Sequence, residues 1–427
     1  MNRRTFLSAS AAASVAAFPH LALGQAGKTY TTALIGTGWW GMNILGEAMA
    51  AKRSNVVGLC DVDENQLSPA FDKVQQLTGD APRKYKDFRE LLAKEKPEIV
   101  IVGTPDHWHP LICIAAVEAG AHVYVEKPIS HTIREGRAMV KAARAANRVV
   151  QVGTHRRVSP HNVEGLKFLQ SGKAGKIHMV RCFVHSGGRG GQPTPNSEPP
   201  GGLDWDMWCG PAPLHPYNKA LHPRGFRMHL DYANGVIGDW GIHWFDQVLW
   251  WSEEKTPKNV FSTGDRYVDR TTMTAPDAQV ATFQFTDFLL QWEHRRFAAN
   301  NAEKHPLGAY FYGTEGTFHM GWRDGWTFYP ANEKAQTVHM DPQLNLPDQQ
   351  NIKELWADFL TAIETKRRPV SDIEYGHQAT VISLLGNLSW KLGRSLKWDG
   401  AKEEIPGDPE ANKLLSRTYR GEWKYPG

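Results

Sequence analysis

Short apolar runs alternate with amphipathic stretches over the first third of the chain. Strand-like runs fall at 32–35, 56–60, 99–102, 122–125 and 149–152. Between them, residues 87–94, with Asp87 as N-cap, and 133–146 repeat apolar positions at helical spacing. Short, wholly apolar strands alternating with helices predict a doubly wound α/β layout, a parallel sheet covered on both faces. Ligands of such sheets sit at the carboxyl ends of the strands. From about residue 153 the pattern changes. Runs at 176–185, 278–285, 288–295 and 309–312 read as strands of a second α/β domain, and 351–365 and 376–392 as its amphipathic covering helices. The Gly/Pro-rich stretch 186–202 reads as a long loop. The predicted organisation is a leader over 1–27, domains over 28–152 and 153–400, and a surface tail over 401–427.

Composition narrows the class. The chain has 427 residues, 41% hydrophobic and 22% charged, enough for two ordinary globular domains. The net charge of +4 includes Arg3 and Arg4 of the leader, so the remainder is nearly balanced; no basic block points to nucleic acid. Cys60, Cys113, Cys182 and Cys209 are far apart and never in C-x-x-C spacing. A zinc knuckle is therefore not expected, no metal ligands are assigned, and the cysteines read as buried thiols. After the leader no apolar run reaches roughly 18 residues, so no membrane span is expected. The leader itself pairs Arg3-Arg4 with Thr5-Phe6-Leu7 and a short alanine-rich apolar stretch. This resembles a twin-arginine export signal, which carries folded proteins to the periplasm or another extracytoplasmic space.

Directly after the first strand stands Gly36-Thr37-Gly38-Trp39-Trp40-Gly41. In a strand–turn–helix context Gly36 permits the tight turn, Gly38 the approach of a pyrophosphate, and Gly41 close helix–strand packing. Asp61 ends the second strand 25 residues after Gly36, where a carboxylate holds ribose hydroxyls. Val62 and Asp63 follow it, with no basic partner for a 2′-phosphate, so NAD is favoured over NADP. Trp39 and Trp40 occupy the unconstrained positions of the loop, where cofactor contact and packing against the domain are equally open.

Three further loops follow apolar strands. One reads Gly103-Thr104-Pro105-Asp106-His107-Trp108-His109, one Glu126-Lys127-Pro128, and one Gly153-Thr154-His155-Arg156-Arg157. Their place assigns Thr104, Pro105, His109, Glu126 and Lys127 to the cofactor cleft, and His155 and Arg156 to substrate. The glycine loop, T-P-D-H-W-H and above all E-K-P at 126–128 resemble the Gfo/Idh/MocA oxidoreductases. Asp239-Trp240-Gly241-Ile242-His243 extends the likeness through that family's D-x-x-x-H pattern. The resemblance implies an N-terminal Rossmann domain and a C-terminal α/β domain with a large, mostly antiparallel open-faced sheet. It also implies a homodimer or homotetramer, and an interdomain site where Lys127, Asp239 and His243 reach a carbohydrate or cyclitol. The Lys-Pro bond in such motifs is often cis.

The chemistry is coherent. Oxidising a carbinol to a carbonyl requires removal of the hydroxyl proton, for which histidine is suited; His243 is the first choice of base. Asp239 would orient the His243 ring or bind a neighbouring hydroxyl, and Lys127 would stabilise developing negative charge. The roles of Lys127 and His243 remain exchangeable. Trp205 and Trp208, three residues apart, read first as core packing and second as rings of a sugar site.

An exported dehydrogenase has no cytosolic cofactor pool. Folding before export would let it leave with NAD bound, and turnover would then have to be redox-neutral. A sugar or cyclitol oxidoreductase is the leading reading. An NAD-dependent glycosidase or lyase acting through a transient keto-sugar is the alternative, and a non-catalytic sugar-binding protein on the same fold is the third.

Overall fold

The computed structural model describes residues 27–297, 300, 302–345 and 350–426. The leader expected over 1–27 thus lies, except for Gly27, outside the described residues. The first sheet consists of β1 (Tyr30–Ile35), β2 (Ser54–Cys60), β3 (Arg83–Tyr85), β4 (Ile99–Val102), β5 (His122–Val125) and β6 (Val150–Val152), in the order 3-2-1-4-5-6. All neighbours are parallel. The sequence Ile-Val-Ile-Val of β4 is buried at every position, as a strand covered on both faces must be. Strand order reverses between β1 and β4, which opens a crevice at their carboxyl ends. Asp87 caps the helix Phe88–Glu95 by accepting from the Arg89 backbone N–H, and Thr132 and Glu135 form a reciprocal capping box on Ile133–Ala145.

The second sheet has nine strands: β7 (Ile177–His185), β8 (Asn259–Asp265), β9 (Ala278–Gln284), β10 (Leu289–Arg295), β11 (Leu307–Gly313), β12 (Gly316–Met320), β13 (Trp326–Pro330), β14 (Val338–Met340) and β15 (Leu396–Lys397). Their order is 14-13-12-11-7-10-9-8-15, and only β7 and β10 pair in parallel. One face packs on the helices Ile242–Ser252 and Ile373–Leu392, and on the other Phe261, Val280 and Leu289 are exposed. The sheet is therefore open-faced.

Three segments differ from the pattern expected of them. The helix Ile373–Leu392 is not a cover: it is buried on nearly all sides, with Ile373 in the first domain's core and Ala379, Ile382 and Leu385 in the second's. Its polar side chains Glu374, His377 and Asn387 are paired with Arg137, Glu403 and the Asn234 carbonyl, which permits a central position. The helix Ile352–Thr365 packs Leu355, Trp356, Phe359 and Leu360 beside Leu34 and Tyr124, so it covers the first sheet rather than the second. The tail is more than a surface wrap. Ile405, Ala411 and Leu415 enter the second core, and the chain then returns to the first domain, where Trp423 packs against Phe88 and Trp108. All four cysteines are buried free thiols. Among the described residues no helix is long and apolar enough to cross a membrane.

Candidate active site

A cleft of about 770 Å³ lies between the carboxyl ends of the first sheet's strands and residues 207–243 of the second domain. Its floor is the glycine loop. Gly36 has φ of +91°, and a Cβ there would lie 2.7 Å from the Gly103 backbone, so the turn closes against the next loop. Gly41 is pressed against Gly36 in the same way, its Cβ position only 2.0 Å from the Gly36 carbonyl oxygen. Gly38 differs: a Cβ would meet nothing within 4 Å, so its open side faces the cleft. It also begins the helix Trp39–Ala50 without a side-chain cap, leaving backbone N–H groups for an anion. A dinucleotide's pyrophosphate fits this arrangement.

Asp61 lines the cleft at the end of β2. Its carboxylate accepts from the Thr37 backbone N–H at 2.7 Å, the Thr37 hydroxyl at 3.0 Å and the Asp63 N–H at 3.0 Å. Burial pushes its pKa up to about 6, against the pull of those hydrogen bonds. Residues 201–204 pack against the turn that follows Asp61. The Gly202 carbonyl accepts from the Glu64 N–H, the Val62 carbonyl from the Asp204 N–H, and the Gly201 carbonyl from the Asn65 side chain, at 2.9–3.0 Å. The Gly/Pro-rich loop thus ends in a clasp beside Asp61.

The reactive end is assembled from both domains. Lys127, in a cis Lys-Pro bond after β5, donates from Nζ to Asp239 Oδ1 at 2.7 Å and to the Asp239 carbonyl at 2.9 Å. Arg227 Nε stands 3.5 Å from the same Oδ1. Burial alone would raise the Asp239 carboxyl, but Lys127 and Arg227 hold it below its usual range. Asp239 sits in a π-helical turn, Ile237–Gly241, which runs into the helix Ile242–Ser252 carrying His243; such turns recur at functional sites. That helix is anchored by a buried pair in which Arg157 Nε donates to both Asp246 oxygens at 2.9 Å. The carboxylate of Asp239 faces Lys127 and Arg227, and so does not orient the His243 ring. His243 packs edge-on against Trp322 and His155, with Nδ1 buried and unpartnered. Burial, reinforced by Lys127, His155 and Arg156, pushes its pKa well below 6.5, so the ring is a neutral acceptor.

Thr104, Pro105, His109, Glu126, Trp39 and Trp40 all border the cleft. The two His109 nitrogens lie 2.8 Å from the carbonyls of Thr104 and Pro128, which ties the loop after β4 to the Lys127 turn. Trp39 is 53% exposed with the Arg224 guanidinium over its ring, so it forms part of the rim. Three of the expected substrate residues lie elsewhere. His155 is fully buried behind His243, and of its loop Gly153 is the residue that borders the cleft. Arg156 donates to the carbonyls of Gly321 and Trp322 and stacks on Trp322; it supports the wall and leaves the cavity to others. Trp205 stacks on Trp208 at 4.6 Å inside an aromatic core, and Trp208 alone of the pair reaches the cleft. Arg227, Trp240, Trp322, Arg323 and Lys86 border it without having been anticipated. Asp106 stands behind them, its pKa pushed up to about 7 by burial against the pull of Arg227.

A dinucleotide cleft whose far end joins a lysine–aspartate pair to a neutral histidine defines a nicotinamide-dependent oxidoreductase architecture. Residues 30–154 match the Gfo/Idh/MocA oxidoreductase family, NAD-binding Rossmann fold, and residues 183–425 match its C-terminal α/β domain. The chain belongs to the Gfo/Idh/MocA oxidoreductase family. It is 32% identical over 142 residues to a glycosyl hydrolase family 109 protein of Stenotrophomonas maltophilia, covering 32% of this chain and 31% of that one. It is 32% identical over 112 residues to levoglucosan dehydrogenase of Pseudarthrobacter phenanthrenivorans, covering 25% and 29%. These matches therefore span less than a third of either relative. The structure of a levoglucosan dehydrogenase in complex with NADH and levoglucosan superposes with a TM-score of 0.67 at 19% identity, covering 87% of this chain and 99% of that one, and shows the shared fold.

Proposed function

We propose that the chain moves a hydride between a secondary alcohol of a sugar or cyclitol and tightly held NAD, in a cycle that is redox-neutral overall. The observation that carries this reading is the convergence of Lys127, Asp239 and His243 at one end of the dinucleotide cleft. Gly36, Gly38, Gly41 and Asp61 would hold the cofactor, which when bound supplies the hydride acceptor. Asp239 fixes the Lys127 ammonium, which donates to the substrate oxygen and stabilises negative charge as its proton leaves. His243, neutral and backed by Trp322, receives that proton. The clasp at 201–204 supports retention of the cofactor, and retention suits a protein exported folded, to the periplasm or a similar space. The exposed Phe261, Val280 and Leu289 support a homodimer or homotetramer formed through the open sheet face.

The glycosidase reading has one observation of its own, the likeness to a glycosyl hydrolase family 109 protein. It uses the same first step: a transient ketone would acidify the adjacent C–H and permit elimination. The test is to denature protein purified from the exported fraction, assay NAD(H) per chain, and screen sugar pairs and aryl glycosides without added cofactor. About one NAD(H) per chain with sugar-pair turnover is expected. Empty, folded protein would reject the retained-cofactor cycle, and aryl-glycoside cleavage would select the second reading.

A further inference from the structure

Two histidines and an aspartate gather at one end of the second sheet, outside the cleft. His305 precedes β11, His319 lies within β12, and Asp324 stands in the turn between β12 and β13. We propose that these three side chains form a binding site for one divalent transition-metal ion, of which zinc is the type. The possible ligand atoms lie within 4.8 Å of one another. His305 Nδ1 is 2.5 Å from Asp324 Oδ2, and His319 Nδ1 is 3.9 Å from the same oxygen. Ligand atoms on a tetrahedral zinc stand about 3.4 Å apart, given bonds of about 2.1 Å. The His305 and His319 rings now stack, their centroids 3.7 Å apart, so closing the set requires the His305 ring to swing out of the stack until both nitrogens face one ion.

A second observation points to a ligand. His319 is wholly buried, yet neither ring nitrogen has a hydrogen-bond partner, and His305 Nε2 is buried without one too. An unpartnered nitrogen 3.9 Å from a carboxylate oxygen leaves a lone pair free for a ligand. Asp324 is 41% exposed and gives an ion a path from solvent. Lys304 donates to the Tyr329 hydroxyl at 2.7 Å. Two imidazoles and one carboxylate suit zinc or cobalt better than calcium or magnesium, and three protein ligands leave a fourth position for water.

The other clusters are weaker. His185, Glu293 and Glu303 are already bridged by Arg181 and Arg295, and His215 and Asp231 satisfy each other at 2.7 Å. The position of the proposed site gives it a consequence. Trp322 and Arg323, from the turn that carries Asp324, border the cleft, and Trp322 packs on His243. An ion here would pin the turn that forms one wall of the active site.

The test is titration of metal-free protein with Co²⁺, followed by displacement with Zn²⁺. One equivalent should bind and give the intense visible absorption of a tetrahedral site. Asp324→Asn and His305→Gln should each weaken binding at least tenfold while the metal-free variants keep the parent's circular dichroism and melting temperature. Absence of stoichiometric binding, or binding unchanged in both variants, would overturn the proposal. No turnover enters the measurement.

Discussion

Lys127 Nζ and Asp239 Oδ1, one from each domain, lie 2.7 Å apart across the interdomain cleft. Spacing of four residues suggested that Asp239 would serve His243, but the π-helical turn gives it to Lys127 and Arg227. The carboxylate therefore pairs with Lys127 and Arg227, and in the proposed reaction His243 takes the proton without its help.

This division of labour separates two substitutions. Lys127→Met should lower kcat on the order of 10²–10³-fold, the scale of losing one preorganised donor, while NAD(H) per chain stays at the parent level. His243→Ala should abolish most turnover by a different route, removing the base without disturbing the Lys127–Asp239 pair. Paired kcat and cofactor assays check both. Unchanged kcat in either variant would remove that residue from the reaction.

Buried neutral histidines give the fold a pH limit. Burial lowers His107 and His131 to about 3, and His109, His161 and His294 to about 4, from 6.5; His155 and His243 are lowered as well. Their folded pKa values lie below the unfolded one, so between 6.5 and about 4 the unfolded chain binds more protons. Their contribution is complete above pH 6.5 and is lost as pH falls. Asp61 and Asp106, raised to about 6 and about 7, act with the opposite sign but are outnumbered. The melting temperature should therefore rise between pH 4.5 and 6.5, and a flat profile over that interval would contradict the burial of these rings.

The first sheet and the grouping of Lys127, Asp239 and His243 were legible because each has a local signature. Apolar strands such as β4 and the glycine loop follow directly from the backbone geometry they require, and Lys127, Asp239 and His243 stand in short motifs. β3, three residues with charged Arg83 and Lys84, has no such pattern. Arg227, Trp322 and Arg323 come from irregular segments where no periodicity aims a side chain. His155 and Arg156 were misplaced because the 3₁₀ turn His155–Arg157 carries them behind the wall after Gly153. The helix Ile373–Leu392 read as an amphipathic cover because Glu374, Gln378, Asn387 and Lys391 interrupt its apolar positions; its central place comes from packing against both domains.

The returning tail should be essential to stability. Arg417 donates to Glu135 Oε1 at 2.8 Å, and the Tyr419 hydroxyl donates to the same oxygen at 2.7 Å. The Glu135 side chain is fully buried. Arg417→Ala leaves that carboxylate without its cation, so urea unfolding should show a loss of about 3–5 kcal/mol, the scale of a broken buried pair. Arg417→Ala with Glu135→Gln should recover part of it, because the uncompensated charge is gone. If the double variant is no better than the single, the pair is not the source of the loss.

Gly38 separates binding from folding. Its φ of −63° and ψ of 177° are open to any residue, and an added Cβ meets no atom of the chain within 4 Å. Gly38→Ala should therefore melt within about 2 °C of the parent, since a surface change of this kind is worth no more than about 0.5 kcal/mol. The methyl would nonetheless occupy the side from which a pyrophosphate approaches the helix N-terminus, so retained NAD(H) should fall to a small fraction of one per chain. Gly36→Ala makes the contrast: with φ of +91° and the Gly103 backbone 2.7 Å from the new Cβ, it should lose folded protein as well as cofactor. Stable Gly38→Ala protein that still carries a full complement of NAD(H) would mean that the cofactor does not cross the loop at Gly38, and the assignment of the cleft would have to change.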